Sequence, residues 1–345
     1  MGCNHTDTYG KHMSVQTESR TGNRIVDLGV RYLVKYPELA ALITWVAVAL
    51  LFVFLNPSVM LQADVWGNIF RQTALIGPVA ILVALLMIGG DFDMTVGANY
   101  ALSAMFFISV VNAGFDPLIG MVATLLVGGT IGVLNGVLVT FTGIHSFIIT
   151  LGGWFSIRGL LLLTFDGGVR LEGEHTVMQI FSYELGANFE LMVLWLFALL
   201  AAAWYLVHRT QFGNHLYAVG SDREAARARG IRVTRTRIIA FTLTGATVSF
   251  AAMMHVARFG SARPVLQVEL PLVAIAAAVL GGCALFGGRG SPLAGFLGAL
   301  TFGTFFTGLI AAGATTAWYE FFVGVVLVGA VIFNRYIDTL REELR

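Results

Sequence analysis

The sequence predicts an all-α protein that crosses a membrane many times. Hydrophobic residues make up 57% of the 345 residues and charged residues only 12%, and the mean hydropathy is +0.79. Soluble domains usually carry about 25% charged residues. The net charge of +1 gives no reason to expect a nucleic-acid partner, whereas the apolar composition requires a lipid bilayer.

Ten apolar runs account for most of the chain, so we expect about ten transmembrane helices. The approximate bounds of these runs are 39–55, 69–88, 96–113, 117–141, 144–164, 190–207, 238–257, 272–286, 292–312 and 316–333. Because several runs are short or contain glycine and proline, we expect some to be broken or re-entrant. The chain then divides into a polar N-terminal tail (1–38), a transmembrane domain (39–334) and a C-terminal tail (335–345).

The basic residues set the expected orientation, because lysine and arginine concentrate on the cytoplasmic side of membrane proteins. Ten spans place both termini and the loop 208–237 on one side. That side then holds the lysines and arginines of both tails and of the basic loop, while the opposite loop at 165–189 is acidic. We therefore expect both termini in the cytoplasm.

Motifs for covalent chemistry are missing from the sequence. Lys11 and Lys35 are the only lysines, and neither stands in G-x-x-x-x-G-K-[ST], so the chain cannot form a Walker A phosphate loop. The two cysteines, Cys3 and Cys283, make neither a disulfide framework nor a metal site. We expect no cofactor, no metal and no catalytic residue; if ATP supplies the energy, another chain binds it.

The most polar segment of the transmembrane domain is the loop 208–237, with seven arginines and two acids. Ser221 and Glu224 match the S-x-x-E capping box, in which the serine caps a helix and the glutamate reaches back. Gly230 stands where a helix of about two turns would end in a left-handed residue. The loop therefore predicts a short basic helix that docks a soluble partner.

Five polar residues in or beside the apolar runs are candidates for a translocation path or gate: Asp91, Asp93, Asn99, Asn135 and Arg158. A carboxylate at mid-bilayer costs about 2.5–3.5 kcal/mol, so both aspartates should lie at a surface, in a cavity or against protein partners. Alternatively, Asp93 and Thr95 cap the next helix. The asparagines could bind a hydroxylated solute or hold helices together. Arg158 could line the path, pair with a carboxylate or snorkel to the interface.

Four segments together resemble one family, the monosaccharide permeases of bacterial ATP-binding-cassette importers of the ribose, xylose and galactose type. In chain order they read GGDFDMTVGANYALSAM, NGVLVTFTGIHSFIITLGGWFSIRGLLLL, FGNHLYAVGSDREAARARGIRVTRTRI and AIAAAVLGGCALFGGRGSPLAGFLGAL. Their order and spacing match the family over about residues 70–335, and the third segment is the most specific. One departure is an extra residue in GGDFDMTVG. Another is Pro271, Leu272 and Val273, which stand where a carboxylate is common.

The resemblance implies a transport subunit that is not itself an enzyme, in the inner membrane of a bacterium. Separate ATPase subunits would drive it, a periplasmic sugar-binding protein would deliver a monosaccharide, and a second permease subunit, identical or paralogous, would complete the path. In the family, the third segment holds the coupling helix that fits a cleft on the ATPase. By position this contact falls to Ser221, Arg223, Glu224, Ala225, Ala226, Arg227 and Gly230. We expect the small side chains of Ala225 and Ala226 to form the docking surface.

The alternative from another class is a secondary transporter or channel for a small polar solute, without an ATPase partner. It would need a site for a coupling ion near the midplane of the membrane. The sequence offers few carboxylates there, since Asp91, Asp93 and Glu320 all stand near the ends of apolar runs. It would also leave the basic loop helix without a role.

Overall fold

The computed structural model describes residues 37–343 except 174 and 316. Eleven helices of at least eleven residues form most of this part. They are α1 (Pro37–Leu55), α3 (Ala63–Ile88), α4 (Val96–Asn112), α5 (Pro117–Thr142), α6 (Ser146–Thr164), α8 (Leu191–Arg209), α9 (Gln211–Ser221), α11 (Val233–Phe259), α12 (Leu270–Leu280), α13 (Pro292–Ala311) and α14 (Ala317–Glu343). The predicted N-terminal tail up to residue 36, including Cys3, and the last two residues of the predicted C-terminal tail lie outside the described residues.

Shorter elements connect these helices. They are α2 (Pro57–Met60), β1 (Val169–Arg170), a 3₁₀ turn (Thr176–Met178), α7 (Gln179–Ser182), β2 (Glu184–Gly186), β3 (Phe189–Glu190), α10 (Arg223–Ala228) and β4 (Ser261–Ala262). Strand β1 pairs antiparallel with β4, and β2 pairs antiparallel with β3. The β1–β4 pair ties the loop that follows α6 to the end of α11.

Among the described residues, seven helices are long and apolar enough to cross a membrane: α1, α3, α5, α6, α8, α11 and α13. Three further apolar helices are shorter, namely α4, α12 and the Ala317–Gly329 part of α14. The all-α, multi-pass architecture is therefore confirmed. With 11 residues, α12 is about 16 Å long, roughly half of a ~30 Å hydrocarbon core, which fits a broken segment.

The degree of burial shows that α3 is the central helix of the protein. In α3, 83% of the most apolar window is buried inside the protein, against 11% in α6. Large apolar side chains of the outer helices, such as Phe54, Phe141 and Leu163, are exposed. Side chains of this kind at the periphery suit contact with lipid tails, while the protein core lies along α3.

Helices α5 and α11 approach each other closely along a line of glycines. A Cβ on Gly132 would lie 2.2 Å from the carbonyl oxygen of Phe241, and one on Gly245 would lie 2.2 Å from that of Gly128. Any side chain at these positions would separate the two backbones. Small residues take this role between membrane helices, where van der Waals packing replaces the hydrophobic effect.

Candidate coupling site

Helix α10 lies in the basic loop, where the sequence predicts a short helix, but a different residue caps it. The carboxylate of Asp222 accepts hydrogen bonds from the backbone N–H groups of Glu224 (2.9 Å) and Ala225 (3.0 Å). Ser221 is the last residue of α9, and its hydroxyl donates to the carbonyl of Tyr217 (2.8 Å). The predicted capping box of Ser221 and Glu224 is therefore wrong. Because Ser221 is still helical, the cap falls to the next, extended residue.

The end of α10 agrees with the sequence. Gly230 has a left-handed backbone with φ +82°. Its N–H donates to the carbonyl of Arg227 (2.9 Å), and the N–H of Ile231 donates to that of Ala226 (3.1 Å). These two bonds form a Schellman motif, which satisfies carbonyls that a helix end leaves open.

The two alanines of α10 point in different directions. Ala226 is 2% exposed and packs with Val219, Val233 and Ile231 on the permease side, whereas Ala225 is exposed. Consecutive helical residues do not share a face. The expectation that Ala225 and Ala226 form one docking surface is therefore wrong. The exposed face carries Glu224, Ala225 and Arg227, and Glu224 accepts a bond from Arg227 (2.7 Å) rather than reaching back to the cap.

Asp91 lies beneath α10, in the segment 89–95 that joins α3 to α4 and that we call the hinge segment. Its carboxylate is 2% exposed. Arg237 of α11 donates to both of its oxygens, from Nε to Oδ2 (2.7 Å) and from Nη2 to Oδ1 (2.6 Å). Arg223 of α10 adds a bond from Nη2 to Oδ1 (3.2 Å). Two-pronged arginine–carboxylate pairs are among the strongest hydrogen bonds in proteins, so Asp91 is satisfied by protein partners.

Glycines bring three backbones together beside this ion pair. The N–H of Gly288, in the loop before α13, donates to the carbonyl of Ile88 at the end of α3 (2.9 Å). A Cβ on Gly220 of α9 would lie 1.8 Å from that same carbonyl oxygen. The hydroxyl of Tyr217 donates to the carbonyl of Gly290 (2.7 Å). Helix α9, which leads directly into α10, is thus locked against the ends of two membrane helices.

Asp93, Asn135 and Asn99 are also buried and satisfied inside the protein. Asp93 accepts bonds from the backbone N–H (2.9 Å) and the hydroxyl (2.5 Å) of Thr95, and the amide of Asn135 donates to that hydroxyl oxygen (2.8 Å). The amide of Asn99 donates to the carbonyl of Gly245 in α11 (3.2 Å). These contacts support the interpretation that the asparagines hold helices together. Of the predicted cap pair, only Asp93 accepts a backbone N–H, since Thr95 makes no side-chain cap bond.

Arg158 lies apart from the other four candidates, on the outer helix α6. Its guanidinium stacks over the ring of Trp154 on the same helix, 5.2 Å from the ring centre. Among the described residues no carboxylate forms an ion pair with it, and its Nε is buried without a hydrogen-bond partner. The structure thus gives no support to the predicted buried carboxylate pair.

The structure also shows a polar cavity of about 270 Å³ that the sequence analysis missed. Its polar and aromatic lining residues are Gln72, Gln267, Glu269, Phe306, Tyr319 and Glu320. Burial and the neighbouring charge of Glu320 raise the pKa of Glu269. Gln72, an amide within a predicted span, was the available signal, but its partners come from three other segments.

The fold and this site together define a multi-pass membrane protein with a rigidly mounted loop helix, the architecture of a transport permease. The chain belongs to the family described as "branched-chain amino acid transport system / permease component", which matches residues 65–331. The family covers all of the coupling site and the polar cavity.

Relatives with assigned cargo resemble the chain over most of its length. The fructose import permease protein FrcC of Rhizobium meliloti is 32% identical over 277 residues, which are 78% of this chain and 77% of that protein. The ribose import permease protein RbsC of Bacillus subtilis (strain 168) is 31% identical over 282 residues, 81% and 87%. The D-allose transport system permease protein AlsC of Escherichia coli (strain K12) is 33% identical over 290 residues, 82% and 87%. No solved structure matches the chain significantly.

The cap of α10 can be tested by comparing two adjacent residues. Asp222→Ala should remove about 1 kcal/mol of local helix stability, so amide hydrogen exchange across 223–230 should accelerate roughly fivefold. Ser221→Ala should leave exchange in α10 nearly unchanged, because its hydroxyl bonds within α9. Faster exchange in Ser221→Ala than in Asp222→Ala would show that Ser221 caps α10 after all.

The two buried aspartates should respond in opposite ways to neutralisation. Burial raises the pKa of Asp93 from 3.8 to about 6, so its ionisation opposes folding as the pH rises through that window and the cost is complete above it. At pH 7.5 Asp93→Asn should melt at or above the wild-type temperature. Asp91→Asn should lose about 3–5 kcal/mol, because it leaves Arg237 buried without its partner.

Thermal unfolding of the purified variants in one detergent, at pH 5 and pH 7.5, checks both expectations. If Asp93→Asn melts well below wild type at pH 7.5 while Asp91→Asn does not, the structural assignment of the two carboxylates is wrong.

Proposed function

We propose that the chain is the permease subunit of an ATP-binding-cassette importer for a monosaccharide. Separate ATPase subunits drive it, a periplasmic binding protein delivers the solute, and a second permease subunit, identical or paralogous, completes the path. The relatives named above support the cargo class, since their names assign fructose, ribose and allose to them. The family description names amino acids instead. We follow the individual relatives, because they are 31–33% identical to this chain and their names assign a cargo to each of them.

Helix α10 is the single observation that supports the ATPase partner best. It is capped at both ends and held to the membrane helices on its inner side, yet its outer face is exposed. A six-residue helix is marginal in water by itself, so this degree of support suits a part that receives force. Glu224, Ala225 and Arg227 form the contact face in this proposal. Ser221, Ala226 and Gly230 set its position, and Arg223 bonds it to the segment 89–95.

The proposed location is the inner membrane of a bacterium, with ten passes and both termini in the cytoplasm. The seven long and three short apolar helices supply ten segments, and the basic loop lies on the cytoplasmic side by the positive-inside rule. With this topology we propose three parts: a cytoplasmic tail (1–38), a permease domain (39–334) that contains the coupling loop 208–237, and a second cytoplasmic tail (335–345).

The polar cavity is the proposed contact for the solute. Carboxylates accept hydrogen bonds from sugar hydroxyls, and amides both donate to them and accept from them. Phe306 and Tyr319 offer aromatic surface for the apolar face of a sugar ring. Its volume of about 270 Å³ suits one monosaccharide rather than an oligosaccharide.

The same cavity gives the rival function its one favourable observation. Glu269 and Glu320 are close enough for the charge of Glu320 to raise the pKa of Glu269, and a proton-coupled carrier uses such carboxylates. Uptake of D-ribose, D-fructose or D-allose into vesicles that hold the chain without ATPase subunits, driven by a proton gradient, would favour the rival.

Docking is tested by a charge on the exposed face of α10. Ala225→Glu should abolish solute-stimulated ATP hydrolysis in the assembled importer while the chain stays folded, because an extra carboxylate must be desolvated in the contact. Ala312→Glu, in an exposed turn away from α10, is the matched control and should hydrolyse ATP as wild type does. Normal stimulation in Ala225→Glu would exclude the proposed contact face.

The cavity is tested by removing one amide. Gln72→Leu keeps the side-chain size but loses the hydrogen bonds, so uptake at low solute concentration should fall about tenfold. Hydrolysis of ATP without solute should be unchanged. The matched control is Gln179→Leu, an exposed glutamine of α7. Equal uptake by both variants would remove the cavity from the path.

A further inference from the structure

One arginine of α10 bonds across to the hinge segment. Nη2 of Arg223 donates to the carbonyl of Gly90 (3.0 Å) and to Oδ1 of Asp91 (3.2 Å). The charged neighbour Arg227 bonds only Glu224 of its own helix in the described part of the chain. Arg223 is therefore the side-chain link between the helix that meets the partner and the segment that leads into α4.

The two arginines on Asp91 hold it in different ways. Arg237 is nearly buried, with 9% of its side chain exposed, and forms two short bonds. Arg223 has 41% of its side chain exposed and forms one longer bond to the same carboxylate. Removing a buried partner leaves an uncompensated charge, whereas a half-exposed guanidinium can exchange its bond for water. Arg237 is thus a fixed anchor, and Arg223 is a contact that can break and form again.

The hinge segment is also bonded to a second helix, α6. The N–H of Phe92 donates to the hydroxyl of Ser146 (2.9 Å), and that of Met94 donates to the hydroxyl of Thr150 (2.9 Å). Both hydroxyls belong to the first two turns of α6. A displacement of Gly90 and Asp91 would therefore reach α4 through the backbone and α6 through these two hydrogen bonds. Gly90, whose backbone is left-handed with φ +75°, accepts the bond from Arg223.

We propose that Arg223 is a positioning residue that transmits displacement of α10 to the hinge segment, through bonds that are made in one state of the importer and exchanged in another. This rests on the proposed function, because the displacement comes from ATPase subunits acting on α10. Such a link would couple the two sites, because a contact with two states can be biased from either of its ends.

The test measures hydrogen exchange in the complete importer, resting and trapped with ATP and vanadate. No transported solute is needed. In wild type, trapping should change exchange both in α10 (223–230) and in the hinge segment (89–95), by about fivefold or more. In Arg223→Gln the change in α10 should persist and the change in the hinge segment should be lost.

Two variants serve as controls. Arg235→Gln removes an exposed arginine of α11 without touching Asp91 and should behave as wild type. Arg223→Lys keeps one charged donor and should restore part of the change in the hinge segment. Arg223→Gln leaves the buried pair of Asp91 and Arg237 intact, so the variant should fold.

The outcomes separate the two proposals. If the hinge segment of Arg223→Gln responds as in wild type, or if trapping changes α10 but not the hinge segment in wild type, Arg223 transmits nothing. If trapping changes neither segment in wild type, the ATPase coupling of the proposed function fails instead.

Discussion

The burial of Asp91 is the constraint on which the coupling site depends. An ionised carboxylate as buried as that of Asp91, which is 2% exposed, needs partners inside the protein, since an isolated charge in a low dielectric costs far more than a hydrogen bond returns. Arg237 supplies the pair and thereby fixes the start of α11 to the hinge segment. That attachment also holds α10 close to Asp91, because only residues 229–232 separate α10 from α11. The contacts of Gly220 and Gly288 with Ile88 then close the same junction from the other side.

The coarse fold could be predicted from the sequence because hydrophobicity alone specifies which segments enter a membrane. Each of the ten apolar runs overlaps a helix, although α12 ends at Leu280, before the run 272–286 does, and Gly230 ends α10 in the left-handed conformation that its position predicts. Motifs within a few residues gave wrong predictions where a neighbouring helix determines the local structure. Ser221 matches a cap motif, but α9 extends through it and passes the cap to Asp222. Ala226 turns inward because of the path of α9 and α11, which α10 itself does not encode.

The site was less predictable than the fold because its partners are distant in sequence. Asp91 and Arg237 are 146 positions apart, and no periodicity connects them. Asp91 and Asp93 look equivalent in the sequence, yet one meets two arginines and the other a threonine and an asparagine. Conversely, the polar cavity collects residues from four segments, including the Gln267 loop.

In the proposed mechanism, the exposed face of α10 meets a cytoplasmic ATPase subunit and transmits force to Asp91. The most direct measurement is crosslinking from a single cysteine at position 225, in a chain whose own cysteines are replaced, within membranes that hold the complete importer. We expect a crosslink to the ATPase subunit, reduced labelling of that cysteine when the ATPase is bound, and no labelling by an impermeant reagent added outside intact cells. Labelling from outside, or a crosslink to the periplasmic binding protein, would contradict both the orientation and the coupling role of α10.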